Sequence, residues 1–198
     1  MGGACVSRRR CTSRFATAAF VLTAFFVGAR VQAQTPSGEA QIKAAFVYNF
    51  LKFVDWPAEA FQSPQDPFVV GIVGEGDTAE ATERFLAAKQ VGVRPIVVRR
   101  LKWDQSFAGV HALFIAERDS KRLRRVFEAA AAASALSIGD GEDFAEHGGV
   151  IGLLIDDRKV RFDIDTDAAQ AAGLRVSSKL LALTRVVHSS AGRAGVHP

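Results

Sequence analysis

The stretch Phe68-Val69-Val70-Gly71-Ile72-Val73-Gly74-Glu75-Gly76-Asp77-Thr78-Ala79-Glu80 decides the fold. Its first part is a continuous apolar run, the pattern of a strand covered on both faces. Glycines at 74 and 76 end that run. Asp77-Thr78-Ala79-Glu80 then has the form of a capping box opening a helix to about Lys89. A strand that runs directly into a helix is the repeating unit of α/β folds.

Further along the chain the alternation continues. Ile96 to Leu101 and Ala112 to Ala116 read as strands, Ser120 to Ala133 as an alanine-rich helix, and Leu136 to Ile138 as a short strand. Gly148-Gly149 leads into Val150 to Ile155, and Asp156-Asp157 turns the chain into Val160 to Ile164, an antiparallel hairpin. Ala168 to Ala172 and Ser178 to Val187 read as terminal helical pieces, and Ser189 to Pro198 as a frayed tail. The expected fold is α/β, a mostly parallel sheet sandwiched by helices, with an antiparallel β-hairpin at the C-terminal side.

Upstream, Glu39 to Trp56 reads as a helix stopped by Pro57. At 100° per residue, Ile42, Phe46, Val47, Phe50, Leu51, Phe53 and Val54 fill an arc of about 180°. Asn49, Lys52 and Asp55 are left as a narrow polar strip. So wide a stripe is expected to be buried against the sheet.

Before that helix, Arg8, Arg9, Arg10 and Arg14 precede the apolar run Phe15 to Ala29 and the sequence Val31-Gln32-Ala33. This layout predicts a secretory signal peptide over 1–33, cleaved after Ala33, and a single domain over 34–198. The run of about fifteen apolar residues is short of the roughly 20 a spanning helix needs, and no later segment is long enough. The chain is therefore expected not to span the membrane after cleavage. Five of the 25 basic residues lie in the leader, leaving 20 against 21 acidic residues and a net charge near −1 instead of +4. The pI of about 9.4 thus reflects export, and a nucleic-acid partner is not expected. Both cysteines, Cys5 and Cys11, are also in the leader, so the mature domain would have no thiol chemistry.

Two blocks carry a family resemblance. Lys43-Ala44-Ala45-Phe46-Val47-Tyr48-Asn49-Phe50-Leu51-Lys52-Phe53-Val54-Asp55-Trp56-Pro57 resembles the first-helix signature of the YfiR-like periplasmic proteins. Phe144, Gly148-Gly149-Val150-Ile151, Val160-Arg161-Phe162-Asp163-Ile164, Ala172-Gly173-Leu174 and Ser177-Ser178-Lys179-Leu180-Leu181 are similar to that family's second signature. Arg94 to Arg100 and His111-Ala112-Leu113-Phe114-Ile115 fall between them in the expected order. The resemblance, over residues 41–187, implies a non-enzymatic periplasmic repressor. Its partner would be the periplasmic domain of an inner-membrane diguanylate cyclase, whose inhibition lowers cyclic di-GMP and biofilm output. Many relatives carry Cys where this chain has Val110, so control by disulfide state cannot operate here. Asp163 and Asp165 replace the more usual Glu and Asn.

Other chemistry is weakly signalled. Gly74-Glu75-Gly76-Asp77-Thr78-Ala79 fits a relaxed dinucleotide fingerprint, but Glu75 and Asp77 would set carboxylates beside a pyrophosphate. Asp163-Ile164-Asp165-Thr166-Asp167 begins like a calcium loop but has Ala168 and Leu174 where Gly and Glu are needed, so a helix cap is the better reading. The four histidines show no ligand spacing, and His111 reads as a structural hydrogen-bonder. No cofactor, metal or catalytic residue is expected.

Three features suit a protein partner. Arg161, Asp163 and Asp165 alternate with Val160, Phe162 and Ile164, giving a mixed-charge stripe that is either a solvated face or a docking face. Tyr48 and Trp56 lie at the edge and end of the first helix, as core packing or as interface anchors. Lys121, Arg122, Arg124 and Arg125 crowd a helix start, where acidic neighbours or an acidic partner would offset the dipole. A homodimer stays open. So do two rival functions: a small-molecule or cell-wall-fragment sensor using the crevice at the strand ends near Gly74, and an uncharacterised exported enzyme.

Overall fold

A computed structural model describes residues 1–2, 37–117 and 119–189. The expected signal peptide and the tail beyond Ser189 lie outside the described residues. In chain order the elements are α1 (Gly38–Phe53), β1 (Val54–Asp55), a 3-10 turn (Ala58–Ala60), β2 (Phe68–Val73), α2 (Asp77–Leu86), β3 (Gln90–Val91) and β4 (Arg94–Leu101). There follow β5 (Ala112–Ile115), α3 (Ser120–Ala132), β6 (Leu136–Asp140), β7 (Ile151–Asp156), β8 (Lys159–Asp165), α4 (Thr166–Ala171), β9 (Arg175–Val176), α5 (Ser178–Leu181) and β10 (Val187–His188).

Eight strands form one sheet in the order β10-β8-β7-β6-β5-β2-β4-β3, and β1 pairs with β9 separately. From β10 across, all neighbours are parallel except β8 with β7 and β4 with β3. The apolar run at 68–73 is the reason for this centre. Every residue of β2 is buried, and alternate side chains enter opposite layers. Val70 and Ile72 join Phe50, Leu51, Phe114 and Leu86 on the side covered by α1 and α2. Val69 and Val73 join Leu113, Ile115, Val126 and Phe127 on the α3 side. The mostly parallel sheet between helical layers is the fold that the sequence predicts.

Four local expectations change. First, α2 is capped by Gly76 without a side-chain bond, and the helix begins at Asp77, so the capping box is not formed. Thr78 instead donates its hydroxyl to Asp140 Oδ2 at 2.8 Å. Second, α1 ends at Phe53 because Val54 and Asp55 leave to pair antiparallel with Val176 and Arg175. Third, the buried face of α1 is Ala40, Lys43, Ala44, Val47, Phe50 and Leu51, and Ile42 stays 52% exposed. The apolar stripe is wider than the surface available to cover it. Asn49, Lys52 and Asp55 are exposed as expected.

The fourth change bears most on the site. The piece expected as one helix over Ser178 to Val187 stops at Leu181, and the chain then runs along β8 as β10. Strand β8 would otherwise leave an open row of donors and acceptors. Arg185 and Ile164 donate backbone N–H groups to Phe162 and Val186, at 2.9 and 3.1 Å. The hairpin is therefore inside the sheet, not at its margin. Its two-residue turn places Asp157 and Arg158 at φ 46° and 60°, the left-handed geometry that matches strand twist.

Strands β6 and β7 are parallel yet joined by a helix-free loop, 141–150. Phe144 from this loop takes the place of a covering helix. Its ring lies so close over Gly139 and Gly149 that a Cβ on either would come within 2.1 Å of it. It meets Phe127 edge-on at 5.0 Å. Glycine at these two positions is a requirement of packing, not of backbone angle.

Candidate functional site

The predicted stripe on β8 divides in two. Arg161 is exposed, but Asp163 and Asp165 are 1% and 4% exposed, so the stripe is not a continuous solvent face. Strand β10 covers it. Asp163 accepts from Arg185 Nε at 3.0 Å, from Arg185 Nη2 and from the Val186 N–H at 3.1 Å, a forked pair that pins the C-terminal strand. Its carboxylate raises the Arg185 guanidinium above its ordinary pKa. His188 Nε2 lies 4.0 Å from the same carboxylate. Asp165 caps α4, its Oδ1 accepting from the Asp167 and Ala168 amides at 2.9 Å. The helix-cap reading of 163–167 is thus the observed one.

Tyr48 and Trp56 are both half-buried. Tyr48 donates to the Gln90 carbonyl at 3.0 Å, and Lys52 lies 4.8 Å above its ring. Trp56 donates from Nε1 to the His111 carbonyl at 2.8 Å and meets Phe68 edge-on at 4.8 Å. Each holds α1 or its exit to the sheet, so the structure does not bring the five predicted residues into one patch. Arg161 is left as the exposed charge, with the two aromatics separate from it.

At the helix start of α3, acidic neighbours answer the crowded cations. Asp119 accepts from the Lys121 and Arg122 amides at 3.0 Å, and these bonds hold its carboxyl below its usual pKa. Glu117 pairs with Arg122 at 3.1 Å. Lys121, Arg124 and Arg125 remain exposed.

One participant was missed by sequence reasoning. Lys43 is 5% exposed, and its ammonium lies 2.6 Å from Glu39 and 2.7 Å from Asp140. Burial works against the charge, but the bonds to both carboxylates outweigh it and raise the pKa. Its spacing from Ala40, Val47 and Phe50 marks it as inward-facing, which is the signal that could have found it. The pair ties α1 to the end of β6, where Thr78 completes Asp140 from α2.

Asp140 also lines hollows at the carboxyl ends of the strands. Between α3 and the 141–147 loop lies a cavity of about 510 Å³ with Leu123, Phe127 and Phe144 inside and Glu142, Asp143 and Arg124 on its rim. The hollow beside Gly74 is wider, about 840 Å³, and is lined by Glu75, Glu80, Arg100 and Trp103. Gly74 itself, at φ 91°, would set a Cβ 2.9 Å from the Ala116 backbone, so its turn serves packing. Among the described residues no group of three or more metal-ligating side chains converges.

Against this geometry, comparison with known proteins gives one family. The model of the family described as YfiR/HmsC-like matches residues 40–185. Among curated proteins none matches this sequence. Of solved structures, a conserved domain protein from Vibrio cholerae O1 biovar El Tor is similar at a TM-score of 0.53 and 14% identity, covering 75% of this chain and 60% of that one. An ABC domain from Streptococcus pneumonia, solved with L-Trp, gives a TM-score of 0.49, 11% identity and the same coverage. This chain thus spans 60% of the length of each, and the likeness to the first is one of fold.

Proposed function

The chain belongs to the YfiR/HmsC-like family, and from that premise we propose that it is a non-enzymatic periplasmic regulator that binds and inhibits an inner-membrane diguanylate cyclase. The family match over residues 40–185 is the observation that carries the reading. Two findings are consistent with it. No helix among the described residues is long and apolar enough to cross a membrane. Arg161 and the exposed cations of α3 leave charge available for a docking partner to meet.

The mechanism is differential binding. A repressor of this kind shifts the cyclase toward its inactive state only by its difference in affinity for the two states. In this reading Arg161 contacts the partner directly, while Tyr48 and Trp56, separate from it, hold α1 and its exit in place. Asp163 and Asp165 act by fixing the strand and helix that present it. The test is co-purification of the full chain, exported with its own leader, with the periplasmic domain of a cyclase encoded beside it. Binding at micromolar concentration or tighter is expected, and its absence refutes the repressor reading for that pair.

The cavity of about 510 Å³ favours a second reading, a small-molecule sensor, because its size and its combination of Leu123, Phe127 and Phe144 with charged groups suit a ligand. Ligand-induced shifts in melting temperature without any cyclase partner would favour it.

A further inference from the structure

His111 sits where the sheet meets the loop 57–67, and both of its ring nitrogens are committed to backbone groups of opposite kind. Nδ1 lies 3.0 Å from the Val69 N–H, which can only donate. Nε2 lies 2.9 Å from the Ala60 carbonyl, which can only accept. These partners dictate a neutral ring with its proton on Nε2. A second proton on Nδ1 would face a donor and break the bond to Val69.

The same ring organises the loop in other ways. It stacks on Phe61 at 4.3 Å, nearly parallel, and the Arg94 guanidinium covers the other side of the pair at 3.9 Å from the Phe61 ring. Arg94 also donates to the Ser63 and Asp66 carbonyls, at 2.7 and 2.9 Å. The His111 carbonyl receives Trp56. Residues 57–67 hold one short 3-10 turn and a turn at 63–66 in which Asp66 accepts from the Gln62 and Ser63 amides at 2.7 and 2.9 Å, and the contacts of His111 and Arg94 fasten these turns to the sheet. The charged groups around the ring are Arg94 from β4 and Asp66 from the loop, with Glu59 lining the same hollow. Of these, Arg94 opposes protonation and Asp66 favours it, while burial opposes it most.

We infer that His111 is an acid-operated latch: taking up a proton on Nδ1 releases the loop 57–67 from β2 and uncovers the aromatic cluster Trp56, Phe61 and Phe68. The latch needs no partner and does not rest on the cyclase reading. Its ligand is the proton, and an exported protein would meet changes in external pH directly.

The test uses the full chain with Trp103→Phe, which leaves Trp56 as its one indole. Emission, the Val69 amide protection factor and imidazole nitrogen shifts are followed from about pH 7.5 to about pH 5. The expected result is a red shift of Trp56 and a fall of about tenfold or more in Val69 protection, both tracking protonation of His111. His111→Asn keeps an acceptor near Val69 and should abolish the transition. The latch is overturned if the imidazole stays neutral down to pH 5, if it titrates while emission and protection stay constant, or if the transition persists in His111→Asn. The nitrogen shifts on the unsubstituted chain decide between these outcomes even where His111→Asn does not fold.

Discussion

Replacing Arg185 by alanine should cost more stability than replacing its partner Asp163 by alanine. The asymmetry follows from burial, since Asp163 is 1% exposed and the Arg185 side chain 39%. Arg185→Ala removes two charge-assisted bonds and strands a carboxylate out of water with only the Val186 amide at 3.1 Å. Breaking a buried pair from one side costs about 3–5 kcal/mol, and the half-open position of this pair puts the loss near the low end, about 3 kcal/mol. In Asp163→Ala the guanidinium can turn to solvent and rehydrate, so the loss is nearer 1–2 kcal/mol. With a urea slope of about 2 kcal/mol per molar, the midpoint should fall by about 1.5 M in Arg185→Ala and by about half that in Asp163→Ala. Equal losses, or a larger loss in Asp163→Ala, would refute the argument that the buried carboxylate, not the exposed guanidinium, sets the cost. Asp163→Arg, which a solvent-facing stripe would tolerate, should not yield a folded protein.

Other outcomes follow from single contacts. Gly139→Ala forces the Phe144 ring from its seat and should cost about 2–3 kcal/mol, a fall of about 5–10 °C in a thermal melt of a domain this size. Lys43→Met keeps the buried stem but leaves Asp140 with Thr78 alone, and should cost about 1–2 kcal/mol in the same melt. Trp56→Phe loses the bond to the His111 carbonyl, for about 1 kcal/mol by urea titration. Burial lowers the His111 pKa below its unfolded value, so below about pH 6.5 the unfolded chain binds the extra proton first. Stability from this group is full above that pH and falls by up to about 1.4 kcal/mol per unit as pH drops toward the folded pKa. His111→Asn should remove this component of the slope, measured as stability against pH.

Sequence by itself determined what depends on neighbours within a turn or a strand. The apolar run at 68–73 entails a strand buried on both faces, and Gly74 and Gly76 entail the turn into α2, whatever lies around them. The hairpin at 151–165 and the cap at Asp165 are equally local, because period-2 alternation and a carboxylate two or three residues from its amides need no distant partner. The family resemblance was also legible there, and the family match covers residues 40–185. Tertiary structure decided what depends on residues far apart. The Lys43 ammonium finds Asp140 at a separation of 97 residues. Asp163 is buried because a strand 22 residues later closes the open edge of β8, where the local pattern read as helix. Alternation told which residues share a face, but only the packing of β10 determined whether that face meets water. For the same reason Arg161, Asp163 and Asp165 were readable as a mixed-charge stripe, and Tyr48 and Trp56 as aromatics at the edge and end of a helix, while their separation into exposed and buried roles was not.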